Sequence, residues 1–569
     1  MDFELNLTLD ELVDRTSSER LRVIDLLGED DKCYSTLSNN DKMVLCHLVR
    51  AGSFIENIHY RLENEDNLPF LDFLNKNTKD ESFALTKTLF LAQKNMIAVD
   101  MEGNTIKLAK GDFDRLGKGF YPKDLNKEEF CHIIELMLDK NMIDELRAVL
   151  SNRSVVVRDG KYLKGIDYVE YFKEDFSSCA KELLNAKKYC TDTVFSEYLE
   201  LQALALTYSD PMLDAFADIM WAKNDKTIFE FTITRESYED HMTPILLEHS
   251  DIKKRLKDCG IDILPKDSLG ARIGIVNFEG TKLIHKVSTL TSIAKKHMPY
   301  KSEYKSARDE EKSLQTVADV DLIALFGDTG AYSGGITLAE NLPNDDKLAH
   351  SFGGGNRNVY HRQVRLSGKQ SKYIGFLKKE YHKLFDPEAD HIATICHENT
   401  HSLGPSSTTL GKYSHIIEEL KADMGMFAFS NEYIQSGVLS EKDIQKIVVT
   451  IVTSNFQKSK PKLEQAHRVR QLMYTNRFLE ENAIYFDDDF KLNIDYKKVI
   501  EVSKIILKEV VRLQISGSVQ DAKEYIDKYF YFDDVAKRVG DEIKANSKTL
   551  NGRLNEPLKD KMLSKSFKI

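Results

Sequence analysis

Proline and glycine are scarce in this sequence, 11 and 28 of 569 residues, and so few turn formers exclude an all-β sandwich or barrel. Net positive charge is missing as well. The 80 Lys and Arg against 91 Asp and Glu leave −11, which gives no global attraction to nucleic acid or anionic lipid. Nowhere do about eighteen apolar residues follow one another, and the opening MDFELNLTLDELVDR carries acids where a signal peptide needs basic residues and an apolar run. The seven cysteines are odd in number, scattered and without a CxxC pair, the usage of reduced thiols. A cytoplasmic protein with neither nucleic acid nor membrane as partner is expected.

What is present is a folded mixture, 41% apolar and 30% charged, in a chain longer than one hydrophobic core organises, so two or more lobes are expected. Residues 7–150 read as successive amphipathic helices, as in DKMVLCHLVRAGSFIENIHYRLE, and the helical pattern continues over 162–221. At 227–234 a run of phenylalanine and isoleucine between threonines predicts a strand. ARIGIVNFEG (271–280) and VADVDLIALFGDTG (317–330) predict two more, and the glycine-richest stretch, 327–355, must run irregularly. KKHMPYKSEYKSARDEEK (295–312) reads as a solvated segment, helices resume after 371 as far as about 544, and the last 25 residues show no clear core face.

The strongest local signal is HENTH at 397–401, an HExxH, within DPEADHIATICHENTHSLGP. Asp386, Pro387, Glu388 and Asp390 form an N-cap with proline and acids in the first turn, and Gly404-Pro405 supplies a stop. A helix of about four turns is predicted, with both histidines near its end. Residues four apart share a helix face, so the imidazoles of His397 and His401 can reach one Zn²⁺ at about 2.0 to 2.1 Å. Glu398 lies about 100° round from His397, placed to touch the attacking water without ligating the metal, as a general base requires.

A catalytic zinc takes three protein ligands and keeps one position open. The HExxHxxGxxH pattern would return a third histidine at position 407, where Ser407, a poor donor, stands. SHIIEELKADMGMFAF at 414–429 instead presents Glu418, Glu419 and Asp423 on an amphipathic segment. Glu419, eighteen positions after His401, is the expected third ligand. Glu418 and Asp423 are expected to accept the free ring N–H of a ligating histidine. His415 is a rival ligand, read here as a helix-start residue.

HExxH followed by a helix bearing EExxA[DE] resembles the dipeptidyl peptidase III family, in its pentapeptide branch: HENTHSLGP at 397–405 is similar to HExSHGLGP, and EELKAD at 418–423 to the family's EECRAE. Further stretches match in order along the chain. ESY at 236–238 implies that Glu236 holds the substrate's free amino group and Tyr238 stabilises the reacting carbonyl. NLPND at 341–345 resembles the segment whose asparagines bind the peptide N-terminus and backbone, here Asn341 and Asn344. QAH at 465–467 implies that His467 stabilises the transition state, and FYPKDLNKEEF at 120–130 resembles a family stretch without a catalytic role.

The resemblance implies an α+β, predominantly helical fold of two lobes separated by a cleft. Residues 1–250 would make a helical and mixed lower lobe, joined by about 317–370, which holds the β-core and the glycine-rich substrate segment. A helical zinc lobe would span about 380–545 with part of 251–316, and 546–569 would be a tail. The implied activity is that of a zinc exopeptidase with one Zn²⁺ per chain, releasing dipeptides from the N-terminus of short peptides, as a monomer or homodimer whose lobes close over the substrate. Two other readings stand beside it: a different glutamate-ligand zincin, endopeptidase or aminopeptidase, and a non-catalytic peptide-binding homologue. The GxMEN sequence of the aminopeptidases is absent.

Overall fold

The structure is a computed structural model that describes residues 3–18, 20–99, 105–236, 240–304, 315–327, 339–342, 356–367, 371–401, 403–405, 408–463, 465–546 and 551–564. The chain divides into two units. Met1–Asn277, Ser313–Val364 and Thr549–Ile569 make the first, and Phe278–Lys312 with Arg365–Lys548 makes the second. The architecture is α+β and predominantly helical, as the sequence predicts. No helix among the described residues is long and apolar enough to cross a membrane.

The first unit is built on a five-stranded sheet. Its strands are β1 (Phe229–Glu236), β2 (Ser268–Val276), β3 (Gln315–Phe326), β4 (Ala339–Leu342) and β5 (Asn356–His361). The order is β1-β2-β3-β5-β4, with β5 parallel to β3 and the other neighbours antiparallel. All nine residues of β2 are buried, because a central strand covered on both faces takes apolar or small residues rather than alternation; the exception, Arg272, donates to the Phe326 carbonyl at 2.8 Å. Residues 277–280, read as a continuation of that strand, leave the sheet, and a helix, Phe278–Ser288, starts there. One face of the sheet is covered by α1 (Asn39–Glu63), capped by Ser38, whose hydroxyl accepts from the Asp41 amide. The approach is close enough that a Cβ on Gly52 would stand 2.4 Å from the Phe326 ring.

Three segments differ from the sequence reading. Residues 162–167, expected to be helical, pair as a hairpin, Ser154–Asp159 with Tyr162–Asp167. Three consecutive valines and a Gly160 at φ +60° override the helical neighbourhood. A second hairpin, Ile484–Phe486 with Leu492–Ile494, interrupts the long helical stretch. The end of the chain also has a core face: Asn551–Asn555 pairs in parallel with Leu21–Asp25, and the helix Pro557–Leu563 buries Leu558 and Met562. Two apolar residues four apart are too faint a signal to stand out in a polar tail.

The second unit is a helical bundle. It contains α2 (Pro387–His401), α3 (Ser414–Ala428), α4 (Ala466–Glu480) and α5 (Tyr496–Ser516). Asp386 starts α2 as its sequence predicts, its carboxylate accepting from the Glu388 amide at 3.0 Å. Gly404, at φ +88°, turns the chain away after the helix. Buried residues line α3 almost continuously from Ile416 to Ala428, because α2, α4 and α5 all pack against it. Where α3 meets α2 the contact is at Gly425: a Cβ there would stand 2.4 Å from Thr400 Cγ2 and 2.6 Å from its Oγ1. That hydroxyl cannot easily swing aside, since it donates to the Cys396 carbonyl at 2.8 Å.

Two outcomes follow. Gly425→Ala is expected to cost about 1–3 kcal/mol of stability through overpacking, and Thr400→Ala in the same chain to recover most of it; denaturant titration of the single and double variants checks this. His391, buried in α2, is pushed down to about 3 by burial and by the charge of Arg365, so the folded ring stays neutral while the unfolded one titrates near its ordinary 6.5. Its contribution is complete above about pH 6.5 and lost as the pH falls toward 3. The melting temperature of His391→Gln is expected to drop less between pH 7 and pH 4.5 than that of the wild type, and equal drops would refute the assignment.

Candidate metal centre

Four helical turns bring the predicted residues together in the second unit. His397 and His401, one turn apart on α2, face each other with Nε2 atoms 3.0 Å apart. Glu419, in the second turn of α3, comes within 3.5 Å of His397 Nε2 and 3.8 Å of His401 Nε2. The exposed Glu398 also reaches this space: one carboxylate oxygen and the two imidazoles offer ligand atoms within 4.8 Å of one another. His415, in the first turn of α3, is exposed.

Behind each imidazole stands a carboxylate. His397 Nδ1 donates to Asp423 Oδ1 at 2.7 Å, and His401 Nδ1 to Glu418 Oε1 at 3.1 Å. These bonds put the protons on Nδ1 and aim the Nε2 lone pairs at the space shared with Glu419. The carboxylates are themselves held. Glu418 accepts from Lys421 at 2.8 Å and from Gln514 of α5 at 2.7 Å, and Lys421 also donates to the Leu403 carbonyl at 2.6 Å. Asp423 Oδ2 accepts from Arg470 Nε at 2.6 Å. Arg470 Nη1 donates in addition to Glu419 Oε2 and to Nδ1 of His467, which lies one turn earlier on α4. Nδ1 of His467 also stands 3.0 Å from Glu419 Oε2, so it meets a donor in Arg470 and an acceptor in Glu419. The His467 side chain is 71% exposed.

Burial would raise the Glu419 carboxyl, but His397, His467 and Arg470 hold it well below the usual range. Glu418 is lowered against burial by His401 and Lys421, and Asp423 by Arg470 and His397. His397 moves the other way: burial opposes its charge, yet the hydrogen bond and charge of Asp423, with Glu419, carry it up to about 9. The space between the rings therefore favours a cation.

These residues fit a zinc ion. Ligand atoms about 2.05 Å from a tetrahedral centre stand about 3.3 Å apart, and the two Nε2 atoms and the Glu419 oxygens are separated by 3.0, 3.5 and 3.8 Å. Two imidazole lone pairs and a carboxylate are also the donor chemistry zinc prefers.

The other expected residues belong to the first unit. Glu236 ends β1, its backbone opposite Ser268, and Asn341 lies on the edge strand β4, opposite Asn358. Tyr238 and Asn344 lie outside the described residues, as do the side chains of Glu236 and Asn341. Sequence reasoning missed Arg470, Lys421 and Gln514. Lys421 had a signal in its i,i+3 spacing from Glu418, and Arg470 in its one-turn spacing from His467. Gln514, 96 positions from its partner, had none.

Removing a donor is a direct check. Glu419→Ala is expected to lose stoichiometric zinc while retaining helix content, measured by metal analysis after dialysis and by circular dichroism.

No protein-family profile matches the sequence. Nudix hydrolase 3 of Arabidopsis thaliana is 23% identical over 559 residues, covering 87% of this chain and 68% of that protein. Among solved structures, dipeptidyl peptidase III of Caldithrix abyssi superposes with a TM-score of 0.79 at 20% identity, covering 96% of this chain and 100% of the other. The enzyme of that name from Corallococcus sp. strain EGB gives 0.70 at 18% identity, with 98% and 99% covered. The fold expected from the family resemblance is the fold this chain has.

Proposed function

We propose that this chain is a zinc-dependent peptidase that releases dipeptides from the free N-terminus of short peptides. The observation that carries the reading is the pair of Nε2 atoms 3.0 Å apart, each imidazole backed by its own carboxylate, with Glu419 beside them. The whole-length likeness to two solved structures titled dipeptidyl peptidase III supports it.

In this reading His397, His401 and Glu419 hold one zinc ion, and Glu418 and Asp423 fix the two rings. Zinc supplies Lewis acidity toward the scissile carbonyl and lowers the pKa of water. Glu398, beside His397 in sequence but turned about 100° round the helix, takes the proton of the attacking water and passes it to the leaving amine. His467, its ring exposed, donates to the developing oxyanion, joined by the hydroxyl of Tyr238. Glu236 pairs with the peptide's ammonium, and Asn341 and Asn344 bind its end and backbone. Holding that ammonium two residues from the cut is what makes the product a dipeptide.

The edge position of β4, which carries Asn341, suits a peptide that adds a strand, and recognition through backbone groups admits varied side chains. Seven cysteines without a disulfide agree with a reducing, cytoplasmic setting.

Mass spectrometry of products from a mixed peptide pool, with and without chelator, tests the proposal. Dipeptides lost on chelation are expected. Single residues or internal cuts would assign a different zincin, and tight peptide binding without cleavage a non-catalytic homologue. Glu398→Gln is expected to keep zinc and lose roughly two or more orders of magnitude in rate; undiminished turnover would discard Glu398 as the base.

A further inference from the structure

Among the described residues, the charges around the two imidazoles do not balance. Four carboxylates, Glu398, Glu418, Glu419 and Asp423, meet two cations, Lys421 and Arg470. Two negative charges remain when the rings are neutral, the deficit a divalent ion fills. The two cations are placed differently. Lys421 bonds a carboxylate behind His401 and a backbone carbonyl. Arg470 spans the group that faces the ion and the group behind the other ring: Nη1 to Glu419 Oε2 and Nε to Asp423 Oδ2, from a side chain only 10% exposed.

We infer that Arg470 is a positioning residue that limits how tightly this centre holds its metal and restricts Glu419 to one donor oxygen; the inference rests on the zinc reading above. With Oε2 engaged by the guanidinium, Oε1, 3.8 Å from His401 Nε2, is the oxygen left free. A two-oxygen grip by Glu419 would crowd the open position that substrate needs. The fixed positive charge also draws electron density from Glu419 and, through Asp423, from His397. Both become weaker donors, and the ion stays more electrophilic and less firmly bound. Binding strength is given up for reactivity.

A purely structural arginine predicts the reverse, because losing a buried pair would loosen the site and free the metal. The test starts from zinc-loaded full-length chains, so that the metal-free form need not be isolated, and follows zinc transfer to a chromophoric chelator. Arg470→Met is expected to release zinc about tenfold more slowly than wild type, since one repelling charge is gone from a poorly screened site. Arg470→Lys, which keeps the charge, is expected to release it at close to the wild-type rate. In the cobalt-substituted protein, Arg470→Met is expected to show weaker visible absorption, the mark of a coordination number raised from four to five. Faster or unchanged release from Arg470→Met, or undiminished cobalt absorption, overturns the inference while leaving the peptidase reading intact. A wild-type chain that takes up no zinc overturns both.

Discussion

Two imidazole nitrogens facing each other at 3.0 Å must share something between them. With both lone pairs directed inward they repel, and with both protons directed inward they clash, so a single proton or a cation belongs between them. The rest of the second unit follows from that requirement. Asp423 and Glu418 fix the rings so that the lone pairs point inward, and Glu419 adds negative charge beside them. Lys421, Gln514 and Arg470 keep the buried Asp423 and the half-buried Glu418 and Glu419 from being stranded. Four helices and the turn at Gly404 contribute to one small volume, which is why α3, at its centre, is buried almost throughout.

The division between the units is also chemical. The groups proposed to hold the metal, His397, His401 and Glu419, sit on helices and are held by hydrogen bonds from behind, and rigid placement is what metal binding demands. Glu236 and Asn341, two of the groups proposed for recognition, sit at the end of β1 and on the edge strand β4. An edge presents backbone donors and acceptors that no neighbour uses, so a sheet can read a peptide without reading its side chains.

Much of this was legible in the sequence because it is local. An N-cap, an i,i+4 histidine pair and a stop at Gly404 are decided between Asp386 and Gly404, and α2 forms where they predict. The acidic helix could be read because EELKAD puts its carboxylates about one turn apart. The hairpin at 154–167 was overlooked because it lies between two helical stretches and its turn signal, Asp159-Gly160, is a single dipeptide. The C-terminal strand was overlooked because its partner, Leu21–Asp25, is more than 500 positions away. Arg470 and Gln514 escaped for a similar reason: nothing local to either residue says which carboxylate it will meet.

The pentapeptide form of the motif and the short Asp423 belong together. Histidines four apart need no irregularity in α2, which runs as an unbroken helix to His401. An aspartate reaches one methylene less far than a glutamate, so a 2.7 Å bond from Asp423 to His397 demands that α3 come nearer to α2. Gly425, two positions after Asp423, allows that approach, for any side chain there would strike Thr400. A small residue at the helix crossing and a short carboxylate behind the ring are thus two halves of one solution. Lengthening the acid alone would push the imidazole into the ion's place, and filling the glycine alone would pull the carboxylate off the ring.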